Sequence, residues 1–157
     1  MSIGVRRSGR ELAVKIIYSL DHAPEGSVDD VLGTFWGHFR FQDNVLGEPL
    51  EEEWDNLPIT VVRFAEELVR GVAAHRPQLD EAIKEYSTNW SLERMSRVDL
   101  AILRLAAFEL LFQPDVPASV AINEAVEIGK RYGTKDTPAF VNGILDKIAK
   151  CRPKIEG

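Results

Sequence analysis

Residues 96–112 constrain the fold more than any other part of the chain. Val98, Leu100, Ala101, Ile102, Leu103, Leu105, Ala106, Phe108, Leu110 and Leu111 cover most of a helical circumference. A helix that is apolar on nearly every side is stable only when neighbours cover it. Its flanks set its length. Ser96-Arg97-Val98-Asp99 fits a capping box, with Asp99 reaching back to the exposed amides of the first turn. Gln113-Pro114-Asp115-Val116-Pro117 closes the far end. Such a helix demands partners that each offer one apolar face.

The rest of the sequence supplies them. Leu12, Ala13, Ile16, Ile17 and Leu20 recur at helical spacing and predict a helix over residues 8–21. Val28, Val31, Leu32, Phe35 and Phe39 fall on one side of a second, over 28–39. From Ile59, the residues Val61, Val62, Phe64, Ala65, Leu68, Val69 and Val72 give a long helix that Pro77 breaks or kinks before Leu79, Ile83 and Tyr86. Another helix is expected over 119–132, with Gly133 as a left-handed C-terminal residue. Thr137 as cap and Pro138 at the first helical position open the last one, through Phe140, Val141, Ile144, Leu145 and Ile148. Neither a repeat nor a strand pattern appears. The expected fold is all-α, a single-domain orthogonal bundle of six or seven helices spanning residues 1–157.

Charge is unevenly spread. Residues 24–58 hold nine acids against Arg40 alone, a local charge of −8, while the remaining 18 bases and 16 acids leave the body at +2. The overall −6 therefore does not exclude an anionic partner, because a binding patch is felt only within a Debye length of roughly 8–10 Å. Residues 40–58 are acidic, carry Pro49 and Pro58, lack a clean period and read as a loop or insert. No apolar run approaches the roughly 20 residues that span a bilayer, and no signal-peptide core follows the basic N-terminus, so the expected location is cytoplasmic, away from any membrane.

Catalytic and cofactor signals are missing. His22, His38 and His75 stand in separate segments without a cysteine or acidic partner at ligand spacing, which argues against a metal site. There is no glycine-rich phosphate loop and no nucleophile elbow; Cys151, between Lys150 and Arg152, reads as a tolerated surface thiol. No cofactor is expected, and the chain reads as a non-enzyme.

Two basic patches remain. Arg6, Arg7 and Arg10 lie on the first helix, where Arg7, Arg10, Val14 and Tyr18 share one sector beside the apolar face. Arginine forks can grip phosphates or stack on bases, and a tyrosine offers a ring face. A solubilising helix start is the plainer alternative, although positive charge there opposes the helix dipole. The second patch, Lys130-Arg131-Tyr132-Gly133-Thr134-Lys135-Asp136, joins the last two helices. Bases at a helix C-terminus also suit the dipole, but with Phe140 and Asn142 in the next turn the group fits a nucleotide base and its phosphate.

These segments also resemble a known family. Val120-Ala121-Ile122-Asn123-Glu124-Ala125-Val126-Glu127-Ile128, then Tyr132-Gly133, then Phe140-Val141-Asn142-Gly143-Ile144-Leu145-Asp146-Lys147 is closely similar to the C-terminal signature of the NusB antitermination factors. Arg6-Arg7, Arg10-Glu11-Leu12-Ala13-Val14 and residues 97–104 are similar to other elements of that family, so the likeness covers the chain except for about 24–58. It implies a helical factor in processive transcription of ribosomal RNA operons. Such a factor binds boxA-type single-stranded RNA jointly with the ribosomal protein NusE, acts on the RNA polymerase elongation complex indirectly, and is a monomer or homodimer. By the same resemblance, Arg6, Arg7 and Arg10 match the RNA-contacting helix. Tyr132 and Phe140 match aromatics beside the RNA, and Asp99 and Asp136 match acids facing NusE, although capping alone would explain both. Ser8 and Gly9 dilute an arginine run that is denser in many relatives, and Ala139 stands where a base often precedes the phenylalanine. Two other readings stay open: a helical protein-interaction adaptor that never touches RNA, and a NusB-like accessory domain related to RNA cytosine methyltransferases. The second would need an α/β domain for its methyl donor.

Overall fold

The computed structural model describes residues 5–21, 27–41, 58–87 and 91–151. Among them run seven α-helices: α1 (Val5–Asp21), α2 (Val28–Phe41), α3 (Ile59–Ala74), α4 (Arg76–Tyr86), α5 (Arg97–Phe112), α6 (Ala118–Tyr132) and α7 (Thr137–Lys150), with a 3₁₀ turn at Leu92–Arg94. No described residue lies in a strand. The all-α expectation and the helix count agree with this. The acidic segment read as an insert at 40–58 lies outside the described residues except at its ends. No helix among the described residues is long and apolar enough to cross a membrane.

The chain forms two compact units, residues 1–70 and 71–157, which divide within α3. In the first unit α1 packs on α2. Leu12, Ala13, Ile16 and Ile17 of α1, Val31, Leu32 and Phe35 of α2, and Val61, Ala65, Leu68 and Val69 of α3 are buried, at the three- and four-residue spacing of amphipathic helices. Ser27 caps α2 by accepting the Asp30 amide at 3.0 Å. Two polar ties join α2 to α3. The Trp36 indole N–H donates to Glu66 at 2.8 Å, and Arg70 donates to Asp29 at 2.6 Å. The second is an exposed pair and contributes less than about 1 kcal/mol.

The second unit is arranged around α5, which contacts α4, α6 and α7. Residues 100–110 are all buried, including two charged ones, Arg104 and Glu109. Arg104 lays its fork on Asp80 of α4, with Nε at 2.8 Å from one carboxylate oxygen and Nη2 at 3.1 Å from the other. Arg76 approaches the same carboxylate at 3.8 Å. Just before α5, a single nitrogen of Arg97 lies 3.1, 3.4 and 3.2 Å from the carbonyls of Leu92, Glu93 and Met95 and ties down the 3₁₀ turn. The break between α3 and α4 falls at His75, so Pro77 sits in the first turn of α4, where a missing N–H costs nothing. His75 Nδ1 donates to Gly71 O across 2.9 Å, and the ring stacks on Phe112 with centroids 4.0 Å apart.

At the far end of the unit, the exposed Cys151 Sγ lies 2.6 Å from the Tyr86 hydroxyl. The hydrogen bond to Cys151 is the main cause of a phenol pKa pushed up from 10.0 to about 12. The folded state thus holds this proton more tightly than the unfolded chain. Its contribution to stability is intact below pH 10.0 and is lost as pH rises towards about 12. In an ultraviolet titration of tyrosinate, Tyr86 should ionise well above 10.0 in the wild type, and C151A should return it towards that value. The Arg104 fork gives a second expectation. D80A takes the bidentate carboxylate from a buried guanidinium and should cost about 3 kcal/mol in urea unfolding, more than R104M, which removes the charge and keeps most of the volume.

Candidate nucleic-acid interface

The first patch rises from α1, which starts with arginines and has no acid in its first turn. Arg6 is exposed and Arg7 half-buried. Arg10, expected to join them at the RNA, is instead buried at 3% exposure. Its guanidinium carbon lies 5.6 Å from the centroid of the Phe64 ring on α3, and that of Arg6 lies 5.1 Å from the same centroid. One ring therefore holds two cations one helical turn apart. Gly9 explains the approach: a Cβ there would come within 3.4 Å of two further ring carbons of Phe64 after colliding with a third. The glycine that interrupts the arginine run thus makes room for the ring that organises it. As placed, Arg10 holds α1 against α3, and solvent-facing charge comes from Arg6 and Arg7. Tyr18, two turns further on, is half-buried.

The second patch is the α6–α7 junction. Lys130, Arg131 and Lys135 are exposed, Tyr132 and Phe140 are half-buried, and Asn142 is exposed on the first turns of α7. The Arg131 guanidinium lies 5.4 Å from the centroid of Tyr132, so a flat cation and a ring face stand together. Lys130 is balanced in part by Glu127 at 3.3 Å. A cation, a ring and an amide side chain are the groups that hold a base and its phosphate.

What shapes this junction is a residue that the sequence offered only as a helix cap. Thr137 is the first residue of α7, and Asp136 takes the N-cap position with no side-chain cap bond. The Thr137 hydroxyl is 1% exposed as a residue and has two short partners. It donates to Asp99 Oδ1 at 2.7 Å and accepts the Thr134 amide at 3.0 Å. Asp99 therefore does not complete a reciprocal capping box. Ser96 accepts its amide at 3.0 Å, while its carboxylate turns to α7. Asp99 is half-buried and Asp136 exposed, so the two acids assigned to the partner differ in setting. Gly133 also departs from expectation. Its backbone is extended (φ −96°, ψ −165°), not left-handed, so any residue could adopt it. It is small because a Cβ there would lie 2.6 Å from Thr137 Cβ and 2.7 Å from Cγ2. Gly129 is small for the same reason, with Thr137 Cγ2 at 2.9 Å. Thr137 and Phe64 are the positions that residue patterns did not single out. The signal available was a glycine pair four apart facing a Thr-Pro helix start.

Two glycines of this region should respond oppositely. G133A forces Thr137 aside and should cost about 1–3 kcal/mol. G143A, on the exposed side of α7 with nothing within 4 Å of its Cβ, should gain about 0.5–1 kcal/mol from helix propensity. Thermal unfolding of the two variants measures both.

Comparison with known proteins places this geometry. The NusB family model matches residues 7–150. The transcription antitermination protein NusB of Syntrophotalea carbinolica is 64% identical over 156 residues, covering 99% of each chain. That of Geobacter sulfurreducens is 46% identical over 151 residues, covering 96% of this chain and 98% of its own. Among solved structures, NusB of T. maritima superposes with a TM-score of 0.72 at 35% identity, over 97% of this chain and 94% of that one. A structure described as antitermination factors NusB and NusE in complex with dsRNA shares the fold, with a TM-score of 0.68 at 21% identity over 96% and 99%. Matched along almost its whole length by model, relatives and fold, this chain belongs to the NusB family.

Proposed function

We propose that the chain acts as a transcription antitermination factor in the cytoplasm. It binds boxA-type RNA jointly with NusE during transcription of ribosomal RNA and engages the RNA polymerase elongation complex through that assembly. The observation that carries this reading is the near-full-length match to proteins named as NusB antitermination factors, at up to 64% identity. A solved relative with NusE and RNA supports the choice of partners. The role is that of an adaptor and not of an enzyme.

Each unit contributes to the RNA. Arg6 and Arg7 of α1 supply phosphate contacts, with Arg10 and Phe64 holding them in place and Tyr18 further along the helix. Arg131, Tyr132, Phe140 and Asn142 of the second unit supply a cation, two rings and an amide for bases. Asp99 and Asp136 are assigned to the protein partner. Arg10 enters as a residue that positions its neighbours, because the residue is 3% exposed and its guanidinium lies against the Phe64 ring.

Fluorescence anisotropy with labelled single-stranded boxA RNA, and with a duplex of the same sequence, tests the reading in the presence and absence of NusE. Wild type should bind more tightly with NusE. R6A/R7A and R131A/Y132A should each weaken binding. Each phosphate-contacting arginine removed should make the slope of log K against log salt shallower by about 0.7 for a single strand. Equal binding by all variants at every salt concentration would show that the assignment of these residues to the RNA is wrong. Light scattering of the same samples distinguishes monomer from homodimer.

A further inference from the structure

The Thr137 hydroxyl joins two surfaces to which the function assigns different partners. We propose that Thr137 is a positioning residue that couples the partner-facing start of α5 to the RNA-facing α6–α7 junction, a proposal that rests on the function given above. A threonine hydroxyl has one proton to donate, and here that proton goes to Asp99 Oδ1 at 2.7 Å. Its lone pair takes the Thr134 amide at 3.0 Å. The Thr134 hydroxyl in turn accepts the Asp136 amide at 3.2 Å, so the loop following Tyr132 is strung on two threonine side chains. The methyl group of Thr137 fills the space left by Gly129 and Gly133 and fixes where α6 ends. Thr137 itself is buried, so its hydroxyl has little access to water that could replace a lost partner.

The consequence is mutual. When a partner's donors draw on the Asp99 carboxylate, the hydrogen bond to Thr137 changes in strength and direction. The Thr134 amide and the backbone carrying Tyr132 and Asp136 then readjust. Whatever RNA affinity the partner adds through this path, RNA returns to the partner by the same factor, because coupling between two binding equilibria is reciprocal. Asp99 thus serves both the partner and the RNA site, and Thr137 links them without touching either ligand.

The test measures the gain in boxA RNA affinity produced by NusE, in wild type, T137V and T137S. Valine keeps the shape and loses the hydroxyl; serine keeps the hydroxyl. The expected result is that T137V reduces the gain by about fivefold or more while T137S retains it, within the usual range of coupling between sites. A purely structural role would lower RNA affinity equally with and without NusE and leave the gain unchanged, and that outcome overturns the proposal. Should T137V not fold, hydrogen exchange of the wild-type Thr134 amide supplies the reading. Its protection should change when NusE is added without RNA, and an unchanged rate also overturns the proposal. If wild type binds no RNA, or gains nothing from NusE, the function itself is refuted and this coupling with it.

Discussion

Burial of α5 on every side is the condition the second unit is built to satisfy. Residues 100–110 are all buried, so α4, α6 and α7 must surround the helix, and each contributes an apolar face. Two charges are carried inside with it. Arg104 is tolerable there because a bidentate carboxylate, Asp80, replaces the water it has lost, and Asp80 itself keeps some solvent. The two arginines of the segment similar to NusB elements, Arg97 and Arg104, are thus both structural. One holds the turn before α5, and the other locks α5 to α4.

The start of α5 is where this packing meets function. A helix N-terminus has unpaired amides, and Ser96 satisfies one of them. Asp99 is thereby released from capping and reaches Thr137 instead. The junction that follows α6 is not a free loop. Two glycines, a threonine methyl and three hydrogen bonds set its path, and the exposed Arg131 and half-buried Tyr132 sit on a backbone that has little freedom left. Binding groups held in place before the ligand arrives lose less entropy when it does.

The fold was legible because its signal is redundant. Every described helix shows an apolar row at helical spacing, and Pro or Gly stands near most of its ends, so several independent cues agree on α1 to α7. The first-turn placement of Pro77 shifted a boundary without changing the count. The site was legible only in part. Arg6, Arg131 and Asn142 are exposed and Arg7 is half-buried, and it was their residue types that suggested the chemistry. Arg10 is buried although its sector is basic, because spacing shows which sector a side chain occupies and not what covers that sector. Phe64 read as one more core residue, although its ring faces two guanidiniums. Gly133 was misjudged for a related reason. Glycine permits a positive φ and also permits a close approach, and only coordinates tell which of the two is used.

The arginines of α1 show how a local conflict is put to use. Three cations near a helix N-terminus repel one another and oppose the dipole, each at a cost of roughly 0.3–1 kcal/mol. A helix selected for stability alone would carry acids there, as α2 does with Asp29 and Asp30. In α1 the conflict is eased from the side. Phe64 offers its negative ring face to Arg6 and Arg10, and Gly9 lets that ring come close enough to serve both. A ring face attracts a guanidinium without neutralising it, whereas a carboxylate would have bound the fork and cancelled its charge. Arg6 therefore stays exposed and cationic while its conformational freedom is reduced. At Arg6 the ring face leaves the charge both ordered and still able to attract an anion.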